Sequence, residues 1–370
     1  MRILFAGGGT AGHINPAIAI ANYIKEKEPD SEFLFIGTEK GMESTLVPRS
    51  GYDIEFIRIH GFERKLSVRN IKTVGEIFGG MSRVRRIIKG FKPDVVVGTG
   101  GYVAGPALAA AAMMKVPTLV HEANAYPGVT IRLLSRVADV VALSMDEAAK
   151  FVPKAKRIEV TGNPVRPSIL AENQTSAKAK LELGDGKVIL IFGGSLGAEK
   201  INDVAADWIS CVVTEDKYQI IMSTGKNNQF ERVMKRFRNN GIDPTKYEKL
   251  RVSEYIYDMD LALNAADLII ARSGGSVSEM TALGKAAILI PSPYVAGNHQ
   301  EHNARAVEKS GGAVVIRESE LCVDKLASAV NHILEEDGVL EKMSRGSKSI
   351  GIPDSTERIY KILKGLTKTE

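Results

Sequence analysis

Arg2-Ile3-Leu4-Phe5-Ala6-Gly7-Gly8-Gly9-Thr10-Ala11-Gly12-His13 opens the chain with a short apolar run, a glycine turn and the start of a helical pattern. An apolar run closed by glycines is what a strand buried on both faces of a parallel sheet looks like in sequence. The same order returns at Val188–Lys200, VILIFGGSLGAEK. Two strand–turn–helix openings in one chain predict two Rossmann-like domains in tandem. Outward from the first opening, Glu32–Ile36, Ile54–Ile59, Asp94–Val97, Thr118–His121 and Val140–Ala142 read as further strands. From the second, Gln219–Ser223, Leu250–Ser253, Leu268–Ala271, Ala287–Pro291 and Ala313–Ile316 do the same. Helical spacings such as Ala17–Lys25 and Pro106–Met114 lie between them, so the predicted class is α/β with doubly wound parallel sheets. Gly162-Asn163-Pro164-Val165-Arg166-Pro167 carries two prolines and marks the junction. The boundaries are set at 1–163 and 164–352, with a terminal helix within 353–370 that Pro353 opens.

Composition narrows the function classes. The 370 residues are 25% charged and 44% hydrophobic, an ordinary globular mix that excludes disordered and collagen-like chains. Cys211 and Cys322 stand far apart with no CxxC, so neither a disulfide framework nor a cysteine zinc site is expected. The longest apolar stretch, Pro106–Met114, falls short of the ~20 residues that span a bilayer, and Ile3–Gly7 is too short for a signal-peptide core. A soluble protein is expected. Charge is uneven: residues 1–165 carry +6 and the remainder −1, while residues 58–92 alone carry +8. Ile71, Val74, Phe78 and Met81 fall on one helical stripe there, rimmed by Arg83, Arg85 and Arg86. Core packing accounts for part of such a stripe, and an anionic membrane surface fits the cations. No aromatic platform accompanies them, so nucleic acid is not expected as a partner.

The glycine turns carry the chemistry. Gly7–Gly12 matches GxGxxG, and backbone N–H groups at a helix start favour a phosphate. Asn15 is read as the cap of that helix with Pro16 as its first residue. A nicotinamide site also wants an acidic residue ~20 positions further on, and that place here is Gly37-Thr38. His13, at the loop-to-helix junction, is a candidate general base for a sugar hydroxyl; packing or capping would also explain it. Ser195, in the second turn, offers a hydroxyl and an N–H to a phosphate. A third turn runs from Gly98 to Pro106. Glu279, one turn into the helix after RSGGSVSE, suits ribose hydroxyls, although first-turn glutamates are also common for dipole reasons alone. Asp258-Met259-Asp260 matches DxD but precedes a helix, where a cap is the simpler reading, so no metal is assigned.

Taken in order, GGGTAGH, VGTGGYVAGP, HEAN (His121–Asn124), TGNPVR (Thr161–Arg166), GGSLGA, RSGGSVSE and PYVAGNHQEHNA resemble the MurG family of bacterial peptidoglycan N-acetylglucosaminyltransferases. The match covers nearly the whole chain. It implies a glycosyltransferase-B fold: two Rossmann-like domains facing across a cleft, with the C-terminal helix returning to the first. It implies an inverting transfer of N-acetylglucosamine from UDP-GlcNAc to the C4 hydroxyl of the muramyl sugar of lipid I, forming lipid II, with no cofactor. The lipid acceptor would place the protein peripherally on the cytoplasmic face of the cell membrane. By motif, Thr10, Ala11, Gly12, Asn124, Arg166, Ser195, Ile256, Glu279 and Gln300 match donor contacts, and Gly100, Gly101 and Tyr102 the acceptor pyrophosphate loop. His13 is the first choice of base and Glu122 the second. Position 123 is Ala where the family reads Gln. A UDP-GlcNAc 2-epimerase, a nicotinamide oxidoreductase and a non-catalytic nucleotide-gated membrane module are the alternatives.

Overall fold

The structure, a computed structural model, describes residues 1–60 and 68–367, with the side chains of 68–74 and 77 outside the described set. Two compact units emerge, Met1–Pro164 with Asp354–Glu370, and Val165–Pro353. In the first, β1 (Arg2–Gly7), α1 (Ala11–Lys27), β2 (Glu32–Gly37), α2 (Glu43–Arg49), β3 (Asp53–Phe56) and α3 (Val68–Phe91) come first. They are followed by β4 (Val95–Gly100), α4 (Gly101–Met113), β5 (Thr118–Glu122), α5 (Val129–Leu134), β6 (Val140–Leu143) and β7 (Ile158–Val160).

The second unit begins with the short α6 (Pro167–Leu170) and α7 (Gln174–Lys180), then β8 (Val188–Phe192), α8 (Glu199–Val212), β9 (Gln219–Ser223), α9 (Gln229–Asn239) and β10 (Leu250–Ser253). It continues through α10 (Met259–Ala265), β11 (Leu268–Ala271), α11 (Ser276–Leu283), β12 (Ala286–Leu289), α12 (His299–Lys309) and β13 (Ala313–Val315). The helices α13 (Val323–Glu335) and α14 (Val339–Ile350) complete it, and α15 (Ser355–Thr367) belongs to the first unit.

Every strand pair is parallel. The orders are β3-β2-β1-β4-β5-β6-β7 and β10-β9-β8-β11-β12-β13, so the winding direction reverses between β1 and β4 in one sheet and between β8 and β11 in the other. The predicted doubly wound α/β class is therefore correct. Along β1 the side chains alternate. Leu4 and Ala6 enter one core with Val96, Val120 and Val141, while Ile3 and Phe5 enter the opposite core with Val95, Val97 and Leu119. A strand with both faces buried has no polar face, which is why these runs are apolar throughout.

Three local readings are corrected. Thr10, not Asn15, stands at the N-cap of α1, and Pro16 lies inside the helix. Likewise α4 starts at Gly101, five residues before the predicted Pro106. In both helices proline is the sixth residue, where its missing N–H costs one bond to the second residue's carbonyl. The strand read as Ile54–Ile59 ends at Phe56, although Ile57 and Ile59 still reach the core. β7 was not anticipated: three half-buried residues beside Lys156 and Arg157 carry almost no strand pattern.

Helix α15 docks by Ile359 and Leu363, one turn apart and both fully buried, beside Ile3, Ile14, Ile20 and Ile24. Its Tyr360 hydroxyl donates to Glu28 at 2.7 Å. Lys364 holds the Glu28 carboxyl below its usual range, helped by that hydroxyl and opposed by partial burial. No helix among the described residues is long and apolar enough to cross a membrane. Because Leu363 has no exposed surface, Leu363→Ala should destabilise the first unit by about 2–5 kcal/mol. Denaturant unfolding followed by fluorescence checks this, and an unchanged midpoint would mean α15 is not part of that core.

Candidate functional site

In a parallel sheet all strands end on one edge, and loops from either side of a winding reversal diverge to leave a crevice there. Each unit has such a point. In the first it lies between the loops after β1 and β4. Gly101 has a positive φ of 77°, and a Cβ there would strike the Gly8 carbonyl; Gly100, at φ 115°, would bring one to 2.6 Å from His13 Cδ2. Both positions need glycine for conformation and for room. The Thr99 hydroxyl donates to the His13 carbonyl at 2.6 Å. The structure thus brings Thr10, Ala11, Gly12 and His13 beside Gly100, Gly101 and Tyr102.

His13 Nδ1 lies 3.0 Å from the Gly8 carbonyl and 3.4 Å from Thr10 Oγ1. A carbonyl can only accept, so the bond to Gly8 requires the tautomer with its proton on Nδ1, which leaves the lone pair on Nε2. The glycine loop itself is less open to an anion than its motif implied. Gly9 N–H donates to Glu43 Oε2 at 3.0 Å, and Gly8 N–H points at the Gly100 carbonyl at 3.4 Å.

His121 and Glu122 end β5, and Asn124 lies in the loop that follows. Glu122, 5% exposed, accepts at Oε1 from the Asn124 N–H and from Asn124 Nδ2, both at 2.9 Å, and at Oε2 from the Gly128 N–H at 3.0 Å. Burial raises its pKa despite these donors. A carboxylate so engaged orients Asn124 and the turn into α5. His121 is fully buried, and its Nε2 meets the Gly162 carbonyl at 3.1 Å, tying β5 to the Thr161–Pro164 segment.

In the second unit, a cavity of about 910 Å³ opens at the β8/β11 reversal. Ser195, Ile256 and Gln300 line it, with Leu196, Met259, Gly274 and Ser276. Its floor is backbone against backbone. Gly197, after β8, and Gly225, after β9, both have positive φ, and a Cβ on either would strike the other turn's main chain. Buried Asn202 fixes that floor by donating to the Thr224 carbonyl at 2.8 Å. Gln300 is held by the Ser292 N–H, which donates to its Oε1 at 2.9 Å. Arg166 and Glu279 do not line the cavity; they pair with each other, Nε to Oε1 at 2.8 Å. Partial burial pulls the Arg166 pKa down, and the Glu279 carboxylate more than compensates, so it ends raised.

Three features escaped the sequence reading. Glu43 is one. The Arg272–Glu318 ion pair on the cavity wall is another. Tyr294, 83% exposed at the rim, is the third. Asp258 stands at the N-cap position of α10 without a side-chain capping bond, and no group of three metal-binding side chains occurs among the described residues.

The basic stripe is partly described. Ile71 and Val74, with Arg69 and Lys72, have side chains outside the described residues. Phe78 is 69% exposed and Met81 half-buried. Arg85 and Arg86 are exposed, whereas Arg83 is paired to Glu55 at 2.7 Å. The buried face of α3 is Val84, Ile87 and Ile88.

Models of the glycosyltransferase family 28 N-terminal and C-terminal domains match residues 3–143 and 188–359. A protein of Acetivibrio thermocellus, named UDP-N-acetylglucosamine–N-acetylmuramyl-(pentapeptide) pyrophosphoryl-undecaprenol N-acetylglucosamine transferase, is 47% identical over 372 residues. That alignment takes in 100% of this chain and 99% of that protein. The crystal structure of Acinetobacter baumannii MurG matches with a TM-score of 0.77 at 28% identity, covering 98% of this chain and 99% of that one. A putative UDP-N-acetylglucosamine 2-epimerase from Listeria monocytogenes matches at 0.71 with 15% identity, covering 100% and 97%. That last likeness is one of fold.

Burial lowers the His121 pKa from 6.5 to about 4, outweighing its bond to Gly162. The folded chain keeps His121 neutral while the unfolded chain protonates it below 6.5. Its contribution is therefore intact above pH 6.5 and lost as pH falls toward 4, by roughly 3 kcal/mol at full loss. His121→Gln should flatten the decline of stability between pH 6.5 and 4, measured by urea unfolding at each pH. Parallel curves for the two proteins would show that the histidine titrates normally.

Proposed function

The chain belongs to glycosyltransferase family 28, and from that premise we propose that it transfers N-acetylglucosamine from UDP-N-acetylglucosamine to undecaprenyl-pyrophosphoryl-N-acetylmuramyl pentapeptide, lipid I. The full-length 47% identity with a protein named for that activity carries the reading. The product is lipid II, and the anomeric carbon inverts.

The chemistry is one displacement. The acceptor's C4 hydroxyl oxygen attacks the anomeric carbon, the bond from that carbon to the UDP oxygen breaks, and its electron pair leaves on the diphosphate. The hydroxyl proton goes to His13 Nε2, the nitrogen that the Nδ1–H bond to Gly8 leaves basic. In the second unit's cavity, Ser195 and the loop N–H groups receive the diphosphate and the Ile256 backbone reads the uracil. Glu279 takes the ribose hydroxyls and Gln300 a hydroxyl of the amino sugar, while Asn124 keeps the sugar contact that its motif assigns. Arg166 neutralises the charge that develops on the leaving group. Donor binding therefore exchanges the Arg166–Glu279 bond for bonds from both residues to the nucleotide. The turns Thr10–Gly12 and Gly100–Tyr102 are assigned to donor and acceptor respectively, and Glu122 acts as the positioning residue for Asn124. No cofactor is invoked.

The lipid acceptor calls for a membrane-facing surface, so the protein is placed peripherally at the cytoplasmic face of the cell membrane. Exposed Phe78, Met81 and the cations Arg83, Arg85 and Arg86 form the described part of the proposed surface.

Labelled UDP-N-acetylglucosamine and a lipid I analogue should yield a labelled disaccharide lipid. An epimerised donor formed without acceptor would replace this reading with the epimerase. His13→Ala should lower kcat by about 10²–10⁴-fold at saturating substrates, and near-normal turnover would remove His13 as the base. Replacing Arg83, Arg85 and Arg86 with Ala should weaken binding to anionic vesicles by about 1 kcal/mol per cation. The share of Arg83 should be smallest because Glu55 holds it. Sedimentation that is unchanged and insensitive to salt would place the membrane surface elsewhere.

A further inference from the structure

The first residue of α2, Glu43, has no exposed surface at all. A buried carboxylate is costly unless donors surround it, and this one has three. Oε1 accepts from the Thr38 N–H at 2.9 Å and from the Thr38 hydroxyl at 2.8 Å, and Oε2 accepts from the Gly9 N–H at 3.0 Å. Three glycines make room for it: a Cβ at Gly8, Gly37 or Gly41 would run into the Glu43 side chain. No polar requirement of α2 explains this burial, since a helix start in water needs no such enclosure.

What Glu43 grips identifies its use. Gly9 N–H and Gly8 C=O belong to one peptide group, which is planar and rigid. Glu43 holds the N–H end of that plane, and His13 Nδ1 donates to the C=O end at 3.0 Å. The carboxylate therefore reaches the imidazole through a single peptide unit, and hydrogen bonds in such a chain polarise and strengthen one another. Rotating the plane would break both bonds at once. With the plane fixed, the carbonyl can only accept, so Nδ1 keeps the proton and Nε2 keeps the lone pair.

We propose that Glu43 is the positioning residue of His13, setting its ring orientation and tautomer through the Gly8–Gly9 peptide group. This rests on the reading of His13 as the base. Glu43 does not touch substrate. Its role resembles that of a carboxylate bonded directly to a catalytic histidine, with a backbone peptide interposed.

Glu43→Gln keeps the size and offers an amide donor where at least one of the three N–H or O–H donors now points. Expected in the full-length protein are a kcat lowered by about 10–100-fold, a KM for UDP-N-acetylglucosamine within about twofold, and loss of the single Nδ1–H tautomer in ¹⁵N spectra of labelled histidine. The double variant with His13→Ala should be no slower than His13→Ala alone, because the glutamate acts only through the imidazole. If Glu43→Gln keeps both tautomer and kcat while His13→Ala is inactive, the positioning role is overturned and the base survives. If His13→Ala turns over normally, the base reading fails, and the tautomer measurement still decides whether Glu43 sets the ring. Thermal unfolding and UDP-N-acetylglucosamine binding confirm that the variant folds. Should it not fold, the wild-type Gly9 amide decides: slow hydrogen exchange supports the bond to Glu43, and exchange at the rate of an open loop overturns it.

Discussion

Backbone crowding at the carboxyl ends of parallel strands is the constraint on which the structure depends. Loops leave the same edge there, and at a few positions their main chains come too close for any side chain between them. Gly101 against Gly8 shows it between the loops after β4 and β1 in one unit, and Gly197 against Gly225 between the loops after β8 and β9 in the other. With these positions closed to other residues, the loops present N–H groups, carbonyls and a few selected side chains to the crevice. The chemistry of each unit then follows from which backbone groups are already bonded internally.

The two units differ on that count despite their similar openings. In the first, two buried carboxylates take up the loop donors: Glu43 holds Gly9, and Glu122 holds Asn124 and Gly128. A crevice whose N–H groups already serve acidic side chains is poorly suited to gripping a diphosphate through Gly9. It is well suited to fixing a histidine and an asparagine in place. In the second unit no carboxylate among the described residues is bonded to the turn Gly193–Ala198, Ser195 is exposed to the cavity, and Arg166 is held in an ion pair with Glu279. One duplicated architecture thus has its loop donors engaged by carboxylates in one copy and a turn open to a cavity in the other.

Much of the fold was legible because buried parallel strands are apolar on both faces, and β1, β2, β5, β8, β9, β10 and β11 stand close to where their residues predicted. Helix starts were read less well. Asn15-Pro16 and Pro106 carry ordinary start signals, yet the glycine turns already supply helical geometry several residues earlier, and each proline is absorbed at the cost of one bond. Glu43 was invisible for a different reason. Its sequence neighbours give it the character of a first-turn glutamate, and only the folded sheet brings Gly9 and Thr38 around it. Glu122 stands out through its motif, but the three bonds that it accepts from Asn124 and Gly128 appear only in three dimensions.

The central claim is that the second unit's crevice is the nucleotide-sugar site. Hydrogen exchange of the full-length protein, with and without UDP-N-acetylglucosamine and in the absence of acceptor, tests it most directly. Slowed exchange in the turns 193–198, 255–259, 272–279 and 292–300 is the result the account predicts. Protection confined to the turn after β1, or none at saturating nucleotide sugar, would contradict it.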